Sequence, residues 1–255
     1  MSKFLLSSIE QNLDEFYLKC SRHSNFESMD TDKLKWVRAK TADWPSCIFQ
    51  ANFNDSDIDH EIEQVKSLIQ SDKAPDDWTV GPLTKPENLG KLLLKHNFSD
   101  VFHQAGMAID LSKLNNMPSI NTALVIKKVE SEEELNQWLK IVSIVFHIKV
   151  DDWLLEYLRV QREVSFYVGI FNDKYVSALL LHLIPGNAGL HAVSTLPDYR
   201  NKNFALTMSN RALLDARNLG HKYGVLQASS MGQFVYKKLG FRKYCDIITY
   251  SLSGE

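Results

Sequence analysis

Arg200 is followed by Asn201, Lys202, Asn203, Phe204 and Ala205, placed between an apolar stretch (190–195) and a long segment with helical apolar spacing. A strand, a short loop and a helix N-terminus in that order leave several backbone amides pointing outward. The helix dipole favours negative charge at the same place. Arg200 and Lys202 add cationic charge. The stretch is therefore a candidate cradle for a phosphate or pyrophosphate. Two further side chains have useful chemistry. The Tyr236 phenol, with an ordinary pKa near 10, is protonated at neutral pH and can donate a proton. On its helix alone, beside Phe234, Val235 and Leu239, it reads as a core residue. His191 titrates close to neutrality when unperturbed; a single histidine is more often structural. It shares strand parity with Val193, so both are expected on one face. No Cys or Ser is placed with a His partner as a nucleophile.

Several elements must position these residues. Leu5, Leu6, Ile9, Leu13, Phe16 and Tyr17 recur at helical spacing over 2–21. Strands are expected over 34–39 and 47–53. A cluster of Asn54, Asp55, Ser56 and Asp57 then opens a helix with Ile58, Ile62, Val65, Leu68 and Ile69 on one face. A short strand (76–80), a helix (87–95) and a strand (105–111) complete the first half. Residues 113–122, rich in Asn with little apolar pattern, mark a boundary, giving domains 1–117 and 118–255. The second half opens with a strand (123–129). Ser131 and Glu134 then form a capping box before a helix to about 146. A helix (152–162) and a hairpin turning at Asn172-Asp173 follow. The anion-loop unit comes next, then strand 224–228, helix 231–239 and strand 241–252.

The chain has 255 residues, 44% hydrophobic and 24% charged, a normal globular composition. The net charge of −2 gives no nucleic-acid footprint. From Leu196 onward nine Lys or Arg stand against four acids, which suits a small anionic ligand. Cys20, Cys47 and Cys245 are too few and too dispersed for a disulfide framework or a zinc site. No apolar run is long enough for a membrane helix, and the N-terminus lacks a signal-peptide core. A cytoplasmic setting, with no metal, no membrane and no nucleic acid as partner, is the expectation.

The second half resembles the GNAT N-acetyltransferase superfamily. The order β-α-α-β-β-β-α-β-α-β carries the resemblance, with the segment from Arg200 to Ala205 and the later run QASSMGQFVYKKLGFRK, which holds Tyr236 before Leu239-Gly240-Phe241. The resemblance implies an α/β fold of two GNAT-like domains, each a mixed, mainly antiparallel sheet flanked by helices. It implies that Val193, Ser194 and Thr195 present backbone to the pantetheine arm of acetyl-CoA, as an added strand would. It also implies that the Val193 amide holds the thioester carbonyl. Arg200, Asn201, Lys202, Asn203, Phe204 and Ala205 would then hold the pyrophosphate. Ser229 stands where many members contact the cofactor through Asn. Tyr236 would be the general acid, and His191 the candidate base. One position departs from the family pattern: its glycine is Asn203. Asparagine is the ordinary residue that best tolerates left-handed backbone, so the loop is expected to retain binding.

The first half looks like a degenerate copy, as in tandem-GNAT proteins. Lys95-His96-Asn97-Phe98 rhymes with Lys238-Leu239-Gly240-Phe241. Its counterpart loop carries Asp55, Asp57 and Asp59, which would repel a pyrophosphate. The expected function is transfer of acetyl from acetyl-CoA to an amine on a small molecule or peptide, by a monomer or homodimer. Asp151 and Asp152 are candidates to attract a cationic acceptor, against the plainer role of a solvated helix start. The alternatives are a non-catalytic CoA-binding or interaction module, or a transferase with another donor such as a longer acyl-CoA or aminoacyl-tRNA.

Overall fold

The computed structural model describes residues 2–114 and 120–252. In chain order the elements are α1 (Ser2–Ser21), β1 (Phe26–Asp30), β2 (Lys35–Ala39), β3 (Ser46–Phe49), α2 (Ile58–Gln70), β4 (Asp77–Val80), α3 (Leu89–Lys95) and β5 (Phe98–Asp110). They continue with β6 (Val125–Lys128), α4 (Glu132–Phe146), α5 (Asp152–Arg159), β7 (Val164–Phe171), β8 (Lys174–Ile184), β9 (Asn187–Thr195), α6 (Phe204–Asn218), β10 (Tyr223–Ala228), α7 (Gly232–Leu239) and β11 (Arg242–Leu252). The expected boundary at 117/118 lies outside the described residues. Two compact units exist: Met1–Gly106 with Tyr244–Glu255, and Met107–Lys243. Assigning all of 118–255 to one domain differs from this division. The last strand belongs to the first unit because β11 pairs with β4, from Ile248↔Val80 to Ser251↔Asp77.

In the first unit the strand order is β1-β2-β3-β4-β11-β5. β1 with β2, β2 with β3 and β4 with β11 are antiparallel, and β3 meets β4 in parallel at Ile48↔Trp78. Trp78, Ile48, Ile62, Leu89 and Leu93 are fully buried and form the core with Phe53, Phe98 and Tyr250. Each such side chain contributes about 1.5–3 kcal/mol by leaving water. α2 buries Ile58, Ile62 and Val65, the face its spacing predicts. Asp57 precedes α2 but makes no side-chain cap bond.

In the second unit the order is β10-β9-β8-β7-β6. β6 through β9 are antiparallel neighbours, and β9 with β10 is parallel. The hairpin turn is the expected one: Asn172 and Asp173 both take positive φ (49° and 58°), the primed geometry that matches strand twist. Trp138 of α4 anchors one face. Its ring meets Phe166 edge-on at 4.9 Å, and its indole N–H donates to the Leu179 carbonyl at 3.0 Å.

Four differences from the sequence expectations have local causes. β1 escapes notice because FESMD has an edge strand's exposed charges and only one buried residue. β3 stops at Phe49 because Gln50 turns left-handed, φ 51°. β5 starts at Phe98, not near 105, since residues 99–103 are exposed and break the apolar pattern. α5 ends at Arg159, short of 162. The rhyme between halves is present in the backbone: Asn97 (φ 67°) and Gly240 (φ 99°) are both left-handed between a helix and its following strand.

The capping box at α4 is complete. Ser131 Oγ accepts the Glu134 N–H at 3.2 Å, and the Glu134 carboxylate accepts the Ser131 N–H at 3.3 Å. Replacing Ser131 with Ala is expected to destabilise the chain by about 1 kcal/mol in urea unfolding; an unchanged midpoint would show that the box adds nothing.

Candidate functional site

β9 leaves its parallel neighbour early. Asn187, Ala188 and Gly189 pair with Tyr223, Gly224 and Val225. Beyond them β9 runs on to Thr195 and β10 to Ala228, with no further pairing between the two among the described residues. A strand edge carries unpaired N–H and C=O groups that a ligand can take up as an extra strand would.

A bulge lies in the same stretch. His191 pairs with Leu180 and Ser194 with Ala178, so Ala192 and Val193 together stand opposite Leu179. Ala192 has φ 50°, the left-handed conformation found at the first residue of one class of bulge. The extra residue reverses strand parity. Residues paired across strands share a face, so His191 lies with Leu180 and Phe166, the face of Trp138 and α4. Val193 lies with Leu179 and Tyr167, whose phenol donates to Asp215 of α6 at 3.0 Å. The expectation that His191 and Val193 face one way is corrected by this bulge.

His191 is buried beside His182, with ring centroids 6.1 Å apart. Burial, then the neighbouring His182, pushes the His191 pKa down to about 3. It is therefore neutral throughout the working pH range and a weak base. Ser194 and Thr195 also turn their side chains inward. Ser194 Oγ is buried without a hydrogen-bond partner, and Thr195 Oγ1 meets Ser177 Oγ at 3.0 Å. What these two positions can present outward is backbone.

The loop after β9 is held in part by Thr207 and Asn121, which no sequence pattern singled out. Asn201 and Asn203 both take positive φ, 63° and 61°. Asn203 therefore adopts the conformation for which glycine is the default. Its carbonyl accepts from Thr207 N and Thr207 Oγ1, each at 2.9 Å. Thr207 Oγ1 accepts the Asn121 N–H at 3.0 Å, and Asn121 Nδ2 donates to the Lys202 carbonyl at 3.0 Å. Asn121 thus ties the loop from far away in sequence, which is why helical spacing could not reveal it. Phe204 is buried against Phe171, ring centroids 5.1 Å apart, and pins the first turn of α6. That turn carries amides without intrahelical acceptors. Asn201, Lys202 and Asn203 are exposed and Ala205 half-buried beside them. Arg200 leans back, its Nε donating to the Thr195 carbonyl at 3.3 Å.

Tyr236 is buried on α7, edge-on to Phe241 at 5.7 Å. Burial raises its pKa beyond the ordinary phenol range, and the Ser209 hydroxyl of α6 acts in the opposite sense. Ser209 Oγ makes no hydrogen bond of ordinary geometry. Tyr236 therefore stays protonated at neutral pH. Gly232 packs closely beneath it: a Cβ there would stand 3.3 Å from both the Tyr236 ring and Ser229 Oγ, a tight contact. Ser229 Oγ accepts the Gly232 N–H at 3.2 Å, so this candidate ligand contact also ties down the start of α7. α6 joins the parts, with the loop at its start and Ser209 beside Tyr236 further along.

Other candidates are engaged locally. Asp151 accepts from Trp153 Nε1 at 2.9 Å and lies 3.8 Å from Lys149 Nζ. In the first unit, Asp59 takes His96 Nε2 at 2.9 Å. Asp55 and Glu87 line a shallow pocket with Lys85, a mixture of charges that does not favour an anion. Among the described residues no group of three His, Cys, Asp or Glu can hold a metal, and no helix is long and apolar enough to cross a membrane. The neutral state of His191 has a direct check. Its ring resonances in NMR are expected to stay those of neutral imidazole from pH 8 to 5, whereas a midpoint inside that range would contradict its burial.

No family model matches the sequence, and a search of curated proteins gives no match. Solved structures do match. A GCN5-related N-acetyltransferase from Kribbella flavida aligns over 98% of this chain and 96% of its own, with TM-score 0.75 and 14% identity. A second from Sphaerobacter thermophilus aligns over 96% and 89%, with TM-score 0.67 and 14% identity. A tandem GNAT protein from the clavulanic acid biosynthesis pathway aligns over 87% and 79%, with TM-score 0.58 and 11% identity. Over nearly its whole length the chain has the fold of the GCN5-related N-acetyltransferases.

Proposed function

We propose that the chain is an acyl-CoA-dependent N-acyltransferase that moves acetyl from acetyl-CoA directly to an amine. The observation that carries this is the early parting of β9 from β10, followed at once by the left-handed loop into α6. Those residues fit the co-substrate. The free edge of β9 at Val193 and Thr195 suits the amides of pantetheine. The amides of Asn201 to Ala205, with Lys202, suit a pyrophosphate. The bulge turns Val193 to the face of α6, the helix that also carries Ser209 beside Tyr236.

In the step itself the amine nitrogen attacks the thioester carbonyl, a C–N bond forms and the C–S bond breaks. The Val193 amide donates to the carbonyl oxygen as it gains charge. Tyr236 donates its O–H to the departing sulfur, a role its protonated state supports. The attacking amine loses its proton to water. His191 is not assigned that proton, because its pKa near 3 makes it a weak base. The acceptor is a small-molecule or peptide amine. The arrangement is a tandem one in which only the second unit takes acetyl-CoA. A second reading, a CoA-binding module without catalysis, is favoured by one observation: β9 from Asn187 to Thr195 carries no carboxylate to act as base.

Calorimetry is expected to show acetyl-CoA binding, and an amine panel is expected to show thiol release. Binding without thiol release favours the second reading; no binding at millimolar ligand overturns both. Tyr236→Phe is expected to lower turnover by about 10²–10⁴-fold with little change in acetyl-CoA affinity. Equal loss of both would remove Tyr236 from the acid role. Asn203→Gly, which relieves a non-glycine residue at positive φ, is expected to tighten acetyl-CoA binding; clear weakening would contradict the loop's role.

A further inference from the structure

The first unit has its own parting of parallel strands, and its own helix fills it. β3 and β4 pair at Ile48↔Trp78, and the two segments meet again at Asn52↔Lys85. There Lys85 N donates to the Ala51 carbonyl at 2.8 Å and Phe53 N to the Lys85 carbonyl at 3.1 Å. Two carboxyl groups of α1, one helical turn apart, reach the two sides of the gap between these points. Asp14 Oδ2 accepts from Gln50 Nε2 on the β3 side at 2.9 Å. Glu10 Oε2 accepts the Leu83 N–H beyond β4 at 2.6 Å. The fit is close: a Cβ on Gly81 would stand 2.5 Å from Glu10 Oε1. Both acids are almost wholly buried, 4% and 3% exposed.

We propose that Glu10 and Asp14 form a proton-operated clasp, which holds α1 across the β3–β4 gap while the pair is protonated and releases it when the pair ionises. The charges around the pair support this. From α1 itself Glu15 and the partner acid oppose ionisation, and from β2 Lys35 favours it. Lys35 is itself paired with Asp30. Tyr17 and Cys20 of α1, Cys47 of β3 and Asp77 of β4 lie in the same interior. None of them supplies a cation, and Asp77 is itself held above the carboxylate range by burial. Burial raises Glu10 to about 7 against the Leu83 hydrogen bond, and raises Asp14 well above its ordinary value. The sign follows. A carboxyl whose pKa is higher when docked stabilises the docked state fully below its undocked pKa. That stability is lost as pH rises from about 4.5 toward the docked value near 7.

Backbone hydrogen exchange between pH 5 and 8, corrected for the intrinsic rate, tests this on the full chain. The opening constant at Leu83 and along α1 is expected to rise with pH by about tenfold per pH unit for each of the two acids that ionises on opening, the share of Glu10 ending near pH 7. Exchange in α4 is expected to lack this rise. Glu10→Gln is expected to lower the slope, and Glu10→Gln with Asp14→Asn to flatten it. A flat wild-type profile, an equal rise in α4, or an unchanged slope in the variants would overturn the clasp. None of these readings depends on acyl transfer.

Discussion

The candidate site depends on β9 ceasing to pair with β10 after Gly189↔Val225. A parallel pair that continued to Thr195 would satisfy every backbone group and leave nothing for a ligand. Once the pair parts, the strand must end differently from an ordinary edge. The bulge at Ala192 and Val193 re-aims the chain, and the left-handed turns at Asn201 and Asn203 bring it into α6. Each feature has a steric cost for a non-glycine residue. The hydrogen bonds from Thr207 and Asn121, and the burial of Phe204, hold the loop in place against that cost.

α6 is the element through which the parts are related. Its first turn supplies amides, Thr207 braces the loop, and Ser209 stands beside Tyr236. Tyr167 and Arg211 both reach Asp215 further along, which fixes the helix over β7. Tyr236 in turn sits over Gly232, where an added Cβ would press on its ring. The same burial that keeps Tyr236 protonated keeps His191 neutral on the opposite face. Desolvation thus leaves one group able to donate and removes the other as a base.

Much of this was legible in the sequence because it is local. The capping box at Ser131, the Asn172-Asp173 turn and the helix face of α2 follow from residues a few positions apart. Asn203 was legible as a residue tolerant of positive φ, and it has that conformation. The inward turn of His191 was not legible, because a bulge depends on register against β8 and not on β9 alone. Asn121 was hidden for a related reason: its partners Lys202 and Thr207 are distant in sequence. The pairing of β11 with β4 likewise joins distant segments, and no local pattern announces it.

The proposed donor site is the free edge of β9 with the first turn of α6. Backbone hydrogen exchange with and without acetyl-CoA measures its occupation residue by residue. New protection is expected at Val193, Thr195 and Asn203 to Ala205, with none at Gln50 to Asp57 of the first unit. Protection confined to the first unit, or unchanged exchange at Val193 under saturating acetyl-CoA, would contradict it.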